Sequence, residues 1–325
     1  MYEKFYRLTG IPFQLTPDSR FFFGSSGHNR AISHLVYGLA QEEGFIVITG
    51  EVGAGKTTLV EQLWSQLDRR TYILGRIVTT QVSGDDLLRL VVTSYGIDDR
   101  GTDKATLLRR FEKMVREQRS IGRRCLLVVD EVQNLSVAAL EELRMLSNIT
   151  VDGRASMQTI LLGQPQFRPM LAGSELEQLR QRVLASYHLG PLTEPETRGY
   201  VEHRLRTVGW LDDPRWDEAA LSLVHRLTGG IPRRINTLCT RILLYGALEE
   251  AHEVRGETVR MIAGELEQDL GAGSIAPRPP VMANGSGSQD GLLGRVAALE
   301  HGMARQDRIF RRLIDLLGGY HSPSP

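Results

Sequence analysis

The sequence predicts an α/β layered domain with a mostly parallel sheet, followed by a region built from helices alone. Short apolar runs that suit buried strands alternate with amphipathic helical segments as far as residue 192. From Thr193 to about residue 270 only helical patterns remain, and a stretch rich in Gly, Ser and Pro then precedes a heptad pattern. We therefore expect an N-terminal arm (1–30), an α/β domain (31–192), a small helical lid (193–270), a flexible linker (271–290) and an amphipathic heptad helix (291–319).

The composition is that of an ordinary globular protein. Of the 325 residues, 41% are hydrophobic and 24% are charged, and 39 basic residues balance 39 acidic ones. This balance argues against a strongly basic nucleic-acid-binding protein, while it leaves room for a local basic patch. Cys125 and Cys239 lie in apolar surroundings, which predicts two buried, reduced thiols.

The hydropathy pattern shows no membrane-spanning segment. No apolar run reaches the length of about 18 residues that predicts a transmembrane helix, and the N-terminus lacks the apolar core of a signal peptide. We therefore expect a cytoplasmic protein without a transmembrane span, whose membrane association, where it occurs, is peripheral and at the inner face.

Residues 45–58 carry the most specific motif in the chain. Residues 45–49 form a short apolar run rich in β-branched side chains, as expected of a buried strand. Residues 50–57 then fit the phosphate-loop pattern of a Gly, four residues and Gly-Lys-Thr. Apolar residues follow at helical spacing: Val60, Leu63, Trp64 and Leu67. The motif thus has the strand before it and the helix after it that it requires.

This loop predicts a binding site for ATP and Mg²⁺. Its glycines give the backbone room, so that successive N–H groups and a helix N-terminus face a phosphate. Lys56 is expected to contact the β- and γ-phosphates, and the Thr57 hydroxyl is expected to ligate Mg²⁺. The predicted nucleotide-binding residues are Gly50, Glu51, Val52, Gly53, Ala54, Gly55, Lys56, Thr57 and Thr58.

A second motif follows the apolar strand predicted at residues 125–129, where Asp130 and Glu131 stand together. Asp130 is expected to hold Mg²⁺, partly through water, because that cation prefers oxygen ligands. Glu131 is expected to be the general base that polarises the attacking water. After a further strand at 158–162, Gln164 is our candidate for contacting the γ-phosphate or the water, with Asn148 as the second choice.

The two ends of the chain carry features of their own. The arm is rich in aromatic residues, which either close one side of a base pocket or merely cover apolar surface. Near the C-terminus, apolar residues recur at heptad spacing with one polar break at Gln306: Leu292, Val296, Leu299, Met303, Phe310, Leu313 and Leu317. This seam predicts an interaction helix over 291–319 that docks a protein partner or a second copy of the chain.

Together these motifs resemble those of an AAA+ ATPase of the general secretion pathway protein A (ExeA-like) branch. The resemblance covers about residues 1–265 and is closest to the ATPases associated with XrtA (PEP-CTERM, exosortase) systems. The segments that carry it are Pro12-Phe13, Thr16-Pro17-Asp18, Phe22-Phe23, His28, Gly50–Thr57, Asp130–Leu135, Leu162–Pro165, Arg180, Arg182 and Gly230–Arg233.

The resemblance implies a P-loop AAA+ fold, with a five-stranded sheet in the order 5-1-4-3-2 and ATP bound between this domain and the lid. It also implies rings or filaments in which one subunit completes the ATP site of its neighbour. Arg182 matches the arginine finger, with Arg180 as the alternative, and Arg233 matches the sensor-2 arginine of the lid. Members of the secretion branch carry a membrane span and a peptidoglycan-binding domain after the ATPase, where this chain has the linker and heptad helix.

The implied function is an ATP-hydrolysing protein that assembles or regulates an envelope export or exopolysaccharide system. The alternative is a DNA-associated AAA+ ATPase similar to transposition helper proteins, which needs a basic stripe. The candidate tract, residues 109–124, interleaves its basic residues with Glu112 and Glu117, which favours a solvated helix face. A nucleotide-gated scaffold that hydrolyses poorly is disfavoured by the presence of Glu131.

Overall fold

The computed structural model describes residues 1–16, 18–78, 84–151, 153–155 and 157–271. The predicted heptad helix lies outside these residues, as does the linker apart from Gly271. The α-helices are α1 (Tyr2–Phe5), α2 (Ser26–Ala40), α3 (Lys56–Gln66), α4 (Gly84–Ser94), α5 (Lys104–Ser120), α6 (Val137–Leu146), α7 (Phe167–Ala172), α8 (Glu177–Arg180), α9 (Glu194–Thr207), α10 (Glu218–Thr228), α11 (Pro232–Leu248) and α12 (Gly256–Gly271). The strands are β1 (Phe45–Gly50), β2 (Tyr72–Val78), β3 (Arg124–Asp130), β4 (Thr150–Val151), β5 (Arg154–Ala155), β6 (Met157–Gly163), β7 (Val183–Leu189), β8 (Arg215–Trp216) and β9 (Glu253–Val254).

The central sheet has five parallel strands in the order β2-β3-β6-β1-β7. Because β6 and β7 are the fourth and fifth strands of this sheet along the chain, the order is the expected 5-1-4-3-2. The register places Ile48 of β1 beside Leu162 of β6 and Tyr187 of β7. The carboxyl ends of β3, β6 and β1 therefore lie side by side, which is where parallel sheets bind ligands.

Helices cover both faces of the sheet, as the α/β prediction requires. Alternate residues of β1 point to opposite faces, so Val47 packs with α4, α5 and α6, whereas Ile46 and Ile48 pack with α2 and α3. Both faces of β1 are buried, which explains why its sequence reads as a continuous hydrophobic run. The P-loop AAA+ fold predicted for this domain is confirmed by these features.

The lid consists of α9 to α12, which share one hydrophobic core. Its first helix begins with a capping box, in which the Thr193 hydroxyl and the Glu196 carboxylate each bind the other residue's backbone N–H. The N-terminal arm joins this same core through Tyr2, Tyr6, Leu8, Phe13 and Phe21. The arm therefore packs on the lid rather than on the outer faces of the sheet.

Two further sequence expectations can be compared with the described part of the chain. Cys125 and Cys239 are both buried and free of disulfides. None of the helices described is long and apolar enough to cross a membrane.

Candidate active site

The loop that follows β1 lies in close contact with Leu189, His28 and Arg233. Gly53 and Gly55 have φ angles of 81° and 99°, in the left-handed region that favours glycine. A Cβ atom at Gly50 would lie 2.6 Å from the Leu189 carbonyl oxygen, and one at Gly55 would lie 2.8 Å from Nε2 of His28. The glycines are therefore required by neighbouring groups as well as by the backbone conformation.

His28 forms part of the support beneath this loop. Its Nδ1 lies 2.7 Å from the Oγ of Ser25, the residue that caps α2, and the imidazole is buried. Burial lowers the pKa of His28 although the nearby Glu196 carboxylate opposes that shift. A neutral imidazole thus lies against Gly55, a contact that the sequence alone does not specify.

Lys56 places a buried cation within the loop. Its Nζ donates hydrogen bonds to the Gly50 carbonyl at 2.8 Å and to the Glu51 carbonyl at 3.1 Å, and the residue is 5% exposed. Burial lowers its pKa, while the nearby carboxylates of Glu131 and Asp130 act in the opposite direction. A buried cation beside loop N–H groups suits a polyphosphate ligand.

Thr57 and Asp130 form a pair that fits Mg²⁺. The Thr57 hydroxyl donates to Oδ2 of Asp130 at 2.8 Å, and Oδ1 of Asp130 accepts the Glu131 backbone N–H at 2.9 Å. Within the described ranges, no cluster of three or more His, Cys, Asp or Glu residues is able to hold a metal ion. A magnesium ion at this pair needs phosphate oxygens and water to complete its coordination, as this ion commonly does.

Glu131 is held by two side-chain amides. It has a left-handed backbone with φ 54°, and its Oε2 accepts hydrogen bonds from Gln133 Nε2 at 2.5 Å and Gln164 Nε2 at 3.0 Å. Partial burial raises the pKa of Glu131, but these bonds and the charges of Lys56 and Arg233 outweigh it and leave the pKa below its usual value. The carboxylate is therefore ionised and positioned at the end of β3.

Gln164 contacts the predicted general base, and its contact with the γ-phosphate or the water stays a prediction. Its side-chain amide donates a hydrogen bond to Oε2 of Glu131, and its backbone N–H donates to Oε1 of Gln133 at 2.9 Å. Asn148, the second choice, is exposed and lines a separate surface pocket with Glu112 and Arg116. Sequence reasoning missed Gln133, whose only signal was an amide two residues after a candidate general base.

The two candidate finger arginines do not line the cavity beside Lys56. Arg182 directly precedes β7, and its Nη1 donates to the Ser147 hydroxyl at 3.1 Å. Arg180 is exposed, and its Nη1 donates to the Ala172 carbonyl at 3.3 Å. Both residues lie at the amino end of β7, whereas the phosphate loop follows the carboxyl end of the parallel strand β1. Neither arginine therefore lines the cavity of its own chain.

The lid reaches the loop through the first turn of α11. The Arg233 backbone N–H donates to the Gly53 carbonyl at 3.2 Å, and the Arg233 side chain lines the cavity. A Cβ atom at Gly53 would lie 2.3 Å from the Cβ of Arg233. The predicted sensor-2 arginine is therefore fixed at its backbone to the loop.

A cavity of about 290 Å³ is lined by residues of the phosphate loop, the arm and the lid. Its phosphate-binding side includes Val52, Gly53, Gly55, Lys56, Thr57, Thr58 and Glu131. The remaining lining residues come from the arm and from residues 192–236: Gln14, Leu15, Thr16, Asp18, Phe21, Phe22, Phe23, His28, Leu192, Tyr200, Arg204, Pro232, Arg233 and Asn236. The arm thus covers apolar surface of the lid and also lines the cavity, while its part in a base pocket stays a prediction.

Replacing Gly53 by Ala is expected to destabilise the protein more than replacing Gly96 by Ala. Gly96 has nearly the same φ, 82°, but nothing lies within 4 Å of its added Cβ. Each change costs about 1–2 kcal/mol of backbone strain, and the clash with Arg233 adds about 1–3 kcal/mol at Gly53. Unfolding in urea gives the two free energies, and equal losses would contradict the close contact between loop and lid.

Comparisons with known proteins agree with this architecture. A family described as "AAA domain" matches residues 39–171. General secretion pathway protein A of Aeromonas hydrophila is 35% identical over 270 residues, which cover 82% of this chain. The chain spans 48% of the length of that relative.

Solved structures support the fold. Cdc6p of Pyrobaculum aerophilum superimposes with a TM-score of 0.62 at 16% identity, covering 82% of this chain and 73% of that one. The ADP form of the Aeropyrum pernix ORC2 protein gives a TM-score of 0.58 at 19% identity, covering 83% and 74% of the two chains. At these identities the likeness concerns the fold alone. Residues 39–171 therefore match an AAA domain with an α/β P-loop fold, and the chain is similar to General secretion pathway protein A over 82% of its length.

Proposed function

We propose that this protein hydrolyses ATP to ADP and phosphate with Mg²⁺, and that it assembles or regulates an envelope export system. The observation that carries the proposal is the arrangement of Lys56, the Thr57–Asp130 pair and Glu131 around one edge of the sheet. The similarity to General secretion pathway protein A supports the secretion-like role. The narrower assignment to exosortase or exopolysaccharide systems rests on the family resemblance.

The proposed reaction divides between two groups of residues. Lys56 and the loop backbone bind the phosphates, and Thr57 and Asp130 hold Mg²⁺, which neutralises charge on the phosphate oxygens. Glu131 accepts a proton from the attacking water, because its lowered pKa keeps it ionised. Gln133 and Gln164 orient the Glu131 carboxylate through its Oε2.

DNA-stimulated hydrolysis is the competing function. The basic tract on α5 is largely engaged with its own surroundings, since Arg110 donates to the Asp98 carbonyl and Lys113 lies 3.8 Å from Glu117. These contacts favour a solvated helix face over a DNA-binding stripe. ATPase assays with and without DNA test both functions: we expect Mg²⁺-dependent turnover that DNA leaves unchanged. Absence of turnover would contradict the ATPase, and DNA stimulation would favour the alternative.

We also propose a ring or filament in which Arg182 acts on the ATP site of a neighbouring subunit. Its position away from the cavity of its own subunit supports a contribution in trans. A guanidinium supplied this way stabilises charge on the γ-phosphate and contributes about 10³–10⁵ in rate in related enzymes.

Mixing two inactive variants should restore activity if Arg182 acts in trans. Arg182→Ala and Glu131→Gln proteins are each expected to lose turnover. Random mixing in equal amounts leaves about a quarter of the interfaces with both groups intact, so we expect up to about a quarter of wild-type turnover. If light scattering shows that the mixture is assembled and turnover does not recover, the action of Arg182 in trans is contradicted. Arg180 then becomes the candidate.

Residues 291–319 lie outside the described part of the chain, so their role as a docking helix for a protein partner stays a prediction. Cytoplasmic location with peripheral association at the inner face of the membrane likewise stays a proposal.

A further inference from the structure

The arm is fastened to the lid at several separate points. The Tyr6 hydroxyl donates to the Ala251 carbonyl at 2.9 Å, and the Thr9 backbone N–H donates to the Val208 carbonyl at 2.9 Å. Aromatic residues of the arm also belong to the hydrophobic core of the lid. The arm and the lid therefore form one packed unit, although α2, β1 and the rest of the α/β domain separate them in the sequence.

Arg204 of α9 is the most buried charged group of this contact. Its Nε donates to the Pro12 carbonyl at 2.5 Å and its Nη2 donates to the Gln14 carbonyl at 3.2 Å. Its Nη1 donates to the Tyr200 hydroxyl at 2.7 Å, and the guanidinium lies 4.6 Å from the centre of the Phe21 ring. The residue is only 6% exposed. One side chain therefore fixes two successive segments of the arm backbone against the lid.

The partners of Arg204 are unusual for a buried charge. In the described part of the chain no carboxylate lies within 4.0 Å of its guanidinium, so neutral oxygens and aromatic rings alone balance the cost of burial. An apolar residue at this point of the lid core would avoid that cost. Unlike an apolar side chain, the planar guanidinium donates hydrogen bonds to the Pro12 and Gln14 carbonyls in fixed directions. It therefore holds these two carbonyls at defined positions.

Those positions matter because the arm lines the cavity. Gln14, Leu15 and Arg204 all border it but lie outside the phosphate loop, so they are available to the part of a nucleotide that extends beyond its phosphates. We propose that Arg204 is a positioning residue that sets the arm against the nucleoside end of the ligand. This proposal rests on nucleotide binding at the site. The packed arm and lid then contribute affinity for the nucleoside, whereas the loop contributes affinity for the phosphates.

The test compares two ligands on two matched variants. Arg204→Met removes the guanidinium, whereas Arg206→Met makes the same change at an exposed residue of α9 that pairs with Glu202. Calorimetry with Mg²⁺ measures affinity for ATP and for inorganic tripolyphosphate. We expect Arg204→Met to bind ATP about tenfold more weakly and tripolyphosphate as well as the wild type, and Arg206→Met to change neither.

Hydrogen exchange provides a second measurement that does not depend on ligand. In Arg204→Met the Thr9 amide, which bonds Val208, should exchange at least tenfold faster, while the amides of α11 keep their protection. If Arg204→Met does not fold, Arg204→Lys replaces it, since Lys keeps the charge but lacks the fork that holds two carbonyls.

Wild-type ATP affinity in a folded Arg204 variant, or an equal loss for ATP and tripolyphosphate, would overturn the proposal. Unchanged exchange at Thr9 would overturn the attachment of the arm through Arg204. If the wild type itself binds neither ligand, nucleotide binding at the site fails instead, and the exchange measurement still decides whether Arg204 fastens the arm.

Discussion

The Glu131→Gln protein is expected to bind ATP with nearly wild-type affinity and to lose almost all turnover. The amide keeps the size of the side chain, and its oxygen is still able to accept the hydrogen bonds now made by Gln133 and Gln164. It cannot accept a proton from water, and loss of a general base typically costs about 10²–10⁴ in rate. Calorimetry measures the ATP affinity, and phosphate release measures the turnover.

Glu117→Gln is the matched control for this change. Glu117 lies on α5, is 60% exposed and lies 3.8 Å from Lys113, so its replacement should leave both quantities unchanged. Turnover of Glu131→Gln within a few-fold of the wild type would show that another group is the base. Loss of ATP binding together with turnover would show instead that Glu131 supports the site mainly through its contacts with Gln133 and Gln164.

The fold and the phosphate side of the site were predictable because their signals are local. A buried strand, a glycine loop and a helix start occupy consecutive residues, so residues 45–58 specify the loop without knowledge of the rest. Asp130 and Glu131 follow from the same logic, since parallel strands bring their carboxyl ends to one edge. Gln164 was selected for the same reason, but its partner, the Glu131 carboxylate, depends on side-chain geometry that strand order does not specify.

The nucleoside side of the site was not predictable in the same way. Aromatic residues in the arm fit a base pocket and a hydrophobic core equally well, and only packing shows that Phe21 belongs to the core of the lid and also lines the cavity. Arg204 lies in a helix whose other arginines, Arg198 and Arg206, form exposed ion pairs with Glu202. Sequence spacing does not distinguish the one buried arginine from its exposed neighbours, because burial depends on an arm about 190 residues earlier in the chain.

Replacing Lys56 by Ala is expected to abolish ATP binding or to weaken it by at least about 30-fold. Removing one partner of a desolvated charge pair costs about 2–5 kcal/mol, which corresponds to this range or more. Lys56 is nearly fully buried within the loop, and among the described residues its Nζ donates hydrogen bonds to the neutral carbonyls of Gly50 and Glu51. Its charge is therefore available to a phosphate, and calorimetry with Mg²⁺ measures the loss.

Two further variants separate the lost charge from a rearranged loop. Lys56→Met keeps the apolar stem that fills the buried space, so it should lose affinity as Lys56→Ala does while unfolding at a temperature closer to that of the wild type. Lys113→Ala removes a lysine that is 78% exposed on α5 and should bind ATP normally. Unchanged affinity in Lys56→Met would contradict the phosphate role of the ammonium group. Because Lys56 belongs to the phosphate loop and Arg204 does not, Lys56→Met should weaken tripolyphosphate as much as ATP, the reverse of the pattern expected for Arg204→Met.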